Sequence, residues 1–365
     1  MKYVFVTFKA SLNFDSPESW FKRTEGYASV LYCLSKNNTV MNIKQINYHG
    51  ECLHNGVLFH FINFGETDSR FPSRLNQFIK DLEPDVVFVQ GLHNPLQLLQ
   101  LGIKLNKKTK IIVQNHAEKP LTGIKKHILR MADKYVGAYL FASREMGMEW
   151  VKKGNLPSGN KIHEVMEVSS IFSPMEKTEA ILKTRTVGDP VFLWVGRLND
   201  NKDPLTVVKA FLRFAELYPS VRLYMIYHTD ELSKEIQAVL DRSPQRERVI
   251  LIGQVPHDEL QYWFNSADII ISGSHYEGSG TAVCEAMSCG CMPLVTDIFS
   301  FRMITDNGRC GLLYEAGNEV ALLSALKETR NMDIGEKQKL SLEYFTKNLS
   351  FEAIAQKIEK IASSL

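Results

Sequence analysis

Residues 267–290 contain the feature that most restricts how this chain can fold: a short apolar run, a glycine-containing turn and a longer run follow in direct succession. Residues 267–272 are rich in isoleucine and have the pattern of a strand buried on both faces. Residues 281–289 contain no Pro or Gly, and Gly290 follows them as expected beyond the end of a helix. The segment therefore predicts a strand, a loop and a helix of a parallel α/β sheet.

The same alternation of short apolar runs with longer amphipathic runs continues along the chain and favours parallel sheets covered on both faces. Strands are expected at residues 3–8, 57–62, 86–90, 111–114, 138–141, 191–195, 221–226, 249–251, 268–272 and 292–295. Helices are expected at residues 27–35, 72–81, 95–103, 123–132, 204–217, 231–240, 258–265, 281–289 and 320–329. Because such sheets bind ligands beyond the carboxyl ends of their strands, functional residues should follow strand ends.

The chain has 365 residues, which is long enough for about two domains. The polar stretch 169–190 contains Ser-Pro and Gly-Asp-Pro and predicts the boundary. We therefore expect an N-terminal domain at residues 1–172 and a C-terminal domain at 173–350. Residues 351–365 have a helical pattern with isoleucines on one face, and either domain is a candidate to receive this helix.

The composition argues against several classes of protein. The 44% hydrophobic and 23% charged content is that of a globular chain, and a net charge of +2 gives no reason to expect nucleic acid. The 6 cysteines form no Cys-x-x-Cys pair, so free thiols are favoured over a zinc site. The N-terminus does not resemble a signal peptide, and no apolar run reaches the ~18–20 residues of a membrane span. A cytoplasmic location is expected.

The loop after residues 267–272 carries two glutamates, Glu277 and Glu285, around a turn and the start of a helix. The residues between them that can offer backbone N–H groups are Gly278, Ser279, Gly280, Thr281 and Ala282. Free N–H groups at a helix N-terminus attract phosphate, so the segment suggests a phosphorylated sugar whose hydroxyls the carboxylates bind. The structural alternative is a glutamate that only complements the helix dipole.

A second loop follows the predicted strand 191–195. Gly196 allows a ligand to approach the backbone closely, and Arg197 and Lys202 follow it before Pro204 begins a helix. Two cations at the end of a buried strand suit a diphosphate, because arginine binds it in a bidentate manner and lysine acts as a point charge. The alternative is a solvated loop with incidental charges.

Together, the Gly196-Arg197…Lys202 loop and the Glu277-x7-Glu285 segment resemble glycosyltransferase family 4, the retaining nucleotide-sugar glycosyltransferases of GT-B fold. The loops at residues 253–268 and 307–314 are also similar to that family. The resemblance covers residues 190–330 closely, whereas the first half matches in architecture and in two short places. It implies an α/β protein with two Rossmann-like doubly wound domains facing each other across a central cleft. The N-terminal domain, residues 1–172, is then expected to bind the acceptor, and the C-terminal domain, residues 173–350, the nucleotide-sugar donor.

The resemblance also implies roles for individual residues. Arg197 and Lys202 neutralise the donor diphosphate, Glu285 binds the ribose hydroxyls and Glu277 contacts the transferred sugar. His116, after residues 111–114, meets that sugar from the other domain. The implied catalytic residues are Glu277, His116, Arg197 and Lys202. The implied donor-binding residues are Gly196, Arg197, Lys202, Val255, Glu277, Gly278, Ser279, Gly280, Thr281, Ala282, Glu285 and Gly26.

The implied reaction moves a sugar from a nucleoside diphosphate to an acceptor hydroxyl, with retention, on a glycan or lipid-linked acceptor in polysaccharide or glycolipid synthesis. A front-face route is favoured, in which the departing phosphate helps to deprotonate the acceptor. No Asp-x-Asp motif occurs, so neither a metal nor a cofactor is expected. A nucleotide-sugar 2-epimerase and a non-catalytic sugar-nucleotide-binding protein are the alternatives. The base, the sugar and the acceptor stay open.

Three departures from the family pattern and one charged face qualify the resemblance. Residues 224–230 replace a glycine-containing turn, Ile298-Phe299-Ser300-Phe301 replaces paired glycines, and Ser279 replaces an aromatic residue.

The predicted helix 123–132 belongs to a basic cluster that is either a solvated face or a contact with anionic lipid. The cluster comprises Lys125, Lys126, Arg130 and Lys134, and a second one comprises Lys104, Lys107, Lys108 and Lys110.

Overall fold

The computed structural model describes residues 1–24, 29–65 and 71–365, and it divides the chain into two compact units. The first unit comprises residues 1–168 together with 351–365, and the second comprises residues 169–350. The division thus falls at 168/169, whereas the sequence suggested 172/173. The C-terminal segment joins the first unit.

The first unit contains an eight-stranded sheet in the order β3-β4-β2-β1-β5-β6-β7-β8. The strands are β1 (Lys2–Val6), β2 (Thr39–Gln45), β3 (Gly50–His54), β4 (Val57–Ile62), β5 (Val86–Gln90), β6 (Lys110–Gln114), β7 (Ala138–Phe141) and β8 (Ile162–Glu164). Its α-helices are Pro17–Thr24, Ser29–Ser35, Ser73–Asp81, Pro95–Lys104, Gly123–Ala132, Arg144–Lys152 and Phe351–Ser364. Neighbouring strands are parallel except β3 and β4, which form an antiparallel pair at one edge.

The second unit contains a six-stranded parallel sheet in the order β11-β10-β9-β12-β13-β14. The strands are β9 (Val191–Gly196), β10 (Arg222–Tyr227), β11 (Val249–Gly253), β12 (Ile269–Ser272), β13 (Met292–Thr296) and β14 (Leu312–Tyr314). Its α-helices are Lys177–Thr184, Pro204–Leu217, Ser233–Asp241, Leu260–Ser266, Thr281–Ser288, Phe299–Ile304, Glu319–Glu328 and Ile334–Tyr344, the last of which continues into a π-helical turn at Phe345–Leu349. This is the 3-2-1-4-5-6 order of the doubly wound fold.

Strand β9 shows why the sheet of the second unit is covered on both faces. Phe192 packs into a core with Phe211 of helix Pro204–Leu217. Leu193, the next residue, packs into a second core with Phe264 of helix Leu260–Ser266. Successive side chains of a strand point to opposite faces, so an uninterrupted apolar run needs a helix layer on each side.

The predicted α/β class is confirmed, and every predicted strand corresponds to a strand of the structure. Strand β2 was missed because its polar residues Asn42, Lys44 and Gln45 break the apolar pattern, although all three are buried. The helix Lys177–Thr184 was also missed, because its polar composition made residues 169–190 look like a linker. The predicted helix at 27–35 is described from Ser29 onward.

The C-terminal helix Phe351–Ser364 packs on the first unit and buries Ile354, Ile358 and Ile361. The Lys110 ammonium donates to the Ala362 carbonyl oxygen over 2.8 Å. Among the described residues, no helix combines the length and apolar content that crossing a membrane would need.

We predict that Ile358→Ala lowers the free energy of unfolding of the first unit by about 2–5 kcal/mol, because Ile358 is 2% exposed and the change leaves a cavity. Urea unfolding followed by circular dichroism measures this loss. Lys360→Ala on the exposed face of the same helix should cost well under 1 kcal/mol. Equal effects of the two changes would contradict the packing of this helix.

Candidate functional site

Strands β9 and β12 are neighbours in the sheet of the second unit, and the chain winds outward from them in opposite directions. A crevice opens beyond the carboxyl ends of such a strand pair and is where ligands of this fold bind. The loop at residues 197–203 follows β9, and the loop at 273–280 follows β12. Both loops singled out in the sequence therefore reach this point.

Backbone hydrogen bonds join the two loops. The His275 N–H donates to the Asn201 carbonyl oxygen over 2.8 Å, and the Asn201 side-chain amide donates to the Tyr276 carbonyl oxygen over 3.0 Å. A Cβ atom on Gly273 would lie 3.0 Å from the Asp203 carbonyl oxygen and 3.1 Å from that of Lys202. Glycine at position 273 thus lets the loops approach this closely.

The joined loops place Lys202 against Glu277. The Lys202 ammonium and the Glu277 carboxylate form an ion pair, and their side chains are 26% and 14% exposed. The Ser274 hydroxyl donates to the same carboxylate oxygen of Glu277 over 2.6 Å. Lys202 and Glu277 line a small pocket together with Gly280 and Ala282. In the free protein the lysine charge is therefore already compensated.

Helix Thr281–Ser288 begins at the same pocket. Gly280 precedes it with a φ of 57°, and a Cβ atom there would lie 2.7 Å from the ring of Phe301. The backbone N–H groups of Thr281 and Ala282 have no hydrogen-bond partner among the described residues. Two free donors at a helix N-terminus favour an anion.

The replacement at residues 298–301 supports this helix start. Phe301 is fully buried beneath Gly280, in the helix Phe299–Ile304. Ser279 is 8% exposed. Of the two phenylalanines found in place of paired glycines, Phe301 therefore packs under the turn, whereas Phe299 is exposed.

Gly196 ends strand β9, and Arg197 begins the loop that follows it. Arg197 is exposed and forms no ion pair among the described residues. The N–H of Leu198 donates to the Thr229 hydroxyl over 2.9 Å, so the turn at residues 224–230 braces the arginine loop. A Cβ atom on Gly196 would lie 3.0 Å from the Trp194 ring.

Glu285 lies farther along the helix and is 6% exposed. Nε2 of His257 donates to its carboxylate over 2.7 Å, and this hydrogen bond raises the pKa of His257 above its ordinary value. The His257 ring also packs on Phe172, with centroids 5.1 Å apart. Val255, two residues before His257, is partly buried against the core that contains Leu193 and Phe264.

We predict that Glu285→Gln lowers the pKa of His257 toward its ordinary value, because the neutral amide no longer favours the imidazolium. The titration of the His257 ring protons in NMR spectra measures the change. Glu259→Gln, an exposed change two residues from His257, is the control and should have a smaller effect. A pKa that stays unchanged in Glu285→Gln would contradict this pairing.

In the first unit, His116 follows β6 and its Nδ1 lies 2.6 Å from Oε2 of Glu167. The His116 backbone N–H donates to Glu118 over 2.6 Å, and Glu118 also accepts hydrogen bonds from Leu92 and His93. Burial raises the pKa of Glu118, but these hydrogen bonds outweigh it and hold the pKa below its ordinary value. Gly26, the other candidate in this half, lies outside the described residues.

Sequence reasoning missed the partners of the predicted residues, namely Ser274, His257, Glu118 and Glu167. Ser274 and Glu118 had a local signal, since each lies within three residues of the candidate that it contacts. His257 and Glu167 had none, because each pairs with a residue distant in sequence. The structure brings Lys202, Glu277, Gly280 and Ala282 together.

Two doubly wound sheets, parallel apart from the β3–β4 pair, are the architecture of the GT-B class of protein. Residues 177–341 match the model of the family described as glycosyl transferases group 1. This match lies within the second unit.

The sequence is 24% identical over 162 residues to a D-inositol 3-phosphate glycosyltransferase of Xylanimonas cellulosilytica, covering 42% of this chain and 39% of that protein. It is 24% identical over 185 residues to O-antigen chain mannosyltransferase B of Escherichia coli, covering 48% and 47%. The chain thus spans less than half the length of both relatives.

Solved structures resemble the whole chain in fold. A glycosyltransferase from Rickettsia africae ESF-5 has a TM-score of 0.74 at 14% identity and covers 100% of this chain and 97% of its own. Anabaena Alr3699/HepE, solved in complex with UDP, has a TM-score of 0.72 at 13% identity and covers 100% of both chains. The GT-B fold expected from the sequence is confirmed.

Proposed function

We propose that this protein is a retaining glycosyltransferase that moves a sugar from a nucleoside diphosphate to an acceptor hydroxyl. One observation carries the proposal: Lys202, Glu277 and the free N–H groups of Thr281 and Ala282 meet at the switch point of the second unit. Such a seat compensates a dianionic group and leaves a carboxylate to bind a hydroxyl. The matched family and the relatives named as transferases support the same chemistry.

Binding of the donor exchanges the partners of the ion pair. The diphosphate takes the Lys202 ammonium from Glu277 and accepts hydrogen bonds from the N–H groups of Thr281 and Ala282. Arg197, which is exposed, binds the same group. As the sugar departs, negative charge grows on the diphosphate, and these preorganised donors stabilise it. Glu277, freed from Lys202, accepts a hydrogen bond from the sugar.

The other predicted residues complete the donor site. Glu285 exchanges His257 for the ribose hydroxyls, and the backbone of Val255 binds the base edge. Gly278, Ser279 and Gly280 offer backbone groups to the sugar, while His116 and Gly26 of the first unit act on the sugar and the diphosphate. A front-face route leads to retention, with a glycan or lipid-linked acceptor deprotonated by the departing phosphate. The residues supply all charges this route needs, so we include no metal or cofactor.

A nucleotide-sugar 2-epimerase would bind the same donor and would change it without an acceptor. A non-catalytic binding protein would bind the donor without turnover. Incubation with UDP-, GDP- and ADP-sugars, with and without acceptors, separates the three by product analysis. A product that forms only when an acceptor is present would identify transfer. A free donor whose sugar has changed would favour the epimerase.

We predict that Lys202→Ala weakens binding of the nucleoside diphosphate by about 10- to 150-fold, since a hydrogen bond to a charged group contributes about 1.5–3 kcal/mol. The rate of sugar transfer should fall further, by about 10²–10³-fold, because charge on the diphosphate grows in the transition state. Calorimetry and a transfer assay measure the two effects.

Lys209→Ala is the matched control, because Lys209 is an exposed lysine of the following helix. It should leave both quantities unchanged. Circular dichroism establishes that Lys202→Ala is folded. A folded Lys202→Ala protein that transfers sugar at the original rate would exclude the assigned diphosphate seat.

We also propose that helix Gly123–Ala132 makes a peripheral contact with anionic lipid on the cytoplasmic face of a membrane. Ile124 and Met131 are 76% and 59% exposed, and the exposed cations Lys125 and Arg130 lie beside them. Exposed apolar residues beside cations are typical of helices that lie on anionic membranes. Such a contact would bring the enzyme to a lipid-linked acceptor.

We predict that the protein sediments with vesicles containing phosphatidylserine and not with vesicles of phosphatidylcholine alone. The double change Lys125→Glu, Arg130→Glu should abolish sedimentation, since each cation near the surface contributes about 1 kcal/mol. The control is the double variant Lys209→Glu, Lys234→Glu, which makes the same change in net charge at two exposed lysines of the second unit. Loss in both variants, or in neither, would contradict the assignment to this helix.

A further inference from the structure

The first unit contains a cavity of about 440 Å³, and all of the described residues that line it belong to this unit. Strands β2, β4 and β5 supply Asn42, Lys44, Phe59 and Gln90 to its lining. Its other lining residues are Trp20, Thr24, Leu31, His116, Glu167 and Val168. The cavity therefore includes His116, and it contains a lysine that the proposed chemistry has not used.

Lys44 is 7% exposed, although its side chain carries a charge. Its ammonium donates to the Gln90 side-chain oxygen over 2.9 Å and lies 5.5 Å from the centroid of the Trp20 ring. No carboxylate pairs with it among the described residues. An ammonium has three donors, so Gln90 leaves two of them without a hydrogen-bond acceptor in the described part of the chain.

Burial lowers the pKa of Lys44 to about 8, and no neighbouring acid offsets that burial. An unpaired buried cation is costly, and an apolar side chain of similar volume would serve a purely structural core better. Glu167 lines the same cavity, but its carboxylate is already paired with His116 at 2.6 Å. The Lys44 ammonium therefore has no carboxylate partner of its own among the described residues, although the Glu167 carboxylate lines the same cavity.

A second polar group in the cavity also lacks a partner. Asn42 is 3% exposed, and its side-chain oxygen accepts no hydrogen bond from the described residues. A buried acceptor of this kind costs free energy unless a donor reaches it. A hydroxyl group of a ligand would supply that donor, while an acidic group of the same ligand would pair with Lys44.

We propose that this cavity binds the acceptor and that the acceptor is a hydroxylated compound with a carboxylate or phosphate group. The acidic group pairs with Lys44, and a hydroxyl donates to Asn42. The proposal rests on the proposed glycosyl transfer, which needs an acceptor and leaves its class open. The chemistry of the donor site permits a neutral acceptor, whereas the residues of this cavity favour an acidic one.

The test uses the full chain without any nucleotide and measures binding of D-glucuronate, D-glucose 6-phosphate, D-glucose and inorganic phosphate. The NMR signal of the Trp20 indole N–H reports occupancy, because that ring lines the cavity. Both acidic sugars should bind at least about tenfold more tightly than glucose, as expected for one charge-assisted hydrogen bond. The two acidic sugars distinguish a carboxylate from a phosphate.

Lys44→Met should abolish this preference, and Lys44→Arg should retain it. Lys153→Met, the same change at an exposed lysine of the first unit that does not line the cavity, is the control and should bind like the original protein. The melting temperature of Lys44→Met should not fall, because an apolar side chain removes a buried charge. Lys44→Gln replaces it in the binding test if Lys44→Met does not fold.

Binding of glucuronate should weaken about tenfold from pH 7 to pH 9, because Lys44 loses its proton through a pKa of about 8. His116 and Glu167 are the other titratable side chains among the described residues that line the cavity. Lys44→Arg keeps both of them, so it should remove the pH dependence only if Lys44 causes it.

Several results would overturn the proposal: glucose binding as tightly as glucuronate, an unchanged preference in Lys44→Met, or no binding of either acidic sugar. Inorganic phosphate binding as tightly as glucose 6-phosphate would exclude the hydroxylated ligand. Failure of the proposed transfer would appear separately, as absent donor binding or an unaffected Lys202→Ala protein. The acceptor-binding measurements are made without nucleotide, so they depend neither on donor binding nor on the behaviour of Lys202→Ala.

Discussion

The close approach of the loops after β9 and β12 is the constraint on which the candidate site depends. Gly273 has no side chain, so the backbone at Lys202 and Asp203 can pass within contact distance of it. The hydrogen bonds between Asn201 and residues 275–276 then hold the loops together. This contact brings a cation from one loop against a carboxylate from the other at the end of the sheet.

Each charged candidate that the structure describes, except Arg197, is paired within its own unit in the free protein. Lys202 pairs with Glu277, Glu285 with His257, and His116 with Glu167. These pairs reduce the cost of holding partly buried charges without ligand. In the proposed function, ligand binding exchanges these partners, and the free energy of each new contact is reduced by that of the pair it replaces. Lys44 differs, because no carboxylate among the described residues compensates its charge.

Much of the fold could be predicted because the strands of a doubly wound sheet are buried on both faces and appear as short apolar runs. Strand β2 shows where this reasoning fails: Asn42, Lys44 and Gln45 are buried in a strand but have the polarity of a loop. The helix Lys177–Thr184 was missed for a related reason, since its many exposed polar residues resemble those of a linker. In both places tertiary contacts outweigh the local pattern.

The sequence by itself determined the α/β class and the strand ends that carry the candidate residues, and it predicted a phosphate seat between two glutamates. These follow from hydrophobic periodicity and from glycine at turns, which act over a few neighbouring residues. Only the tertiary structure decided that Lys202 contacts Glu277, that His257 contacts Glu285, and that Lys44 lines the same cavity as His116 without a carboxylate partner among the described residues. Such pairings join residues tens of positions apart, and the topology of the sheet brings them together.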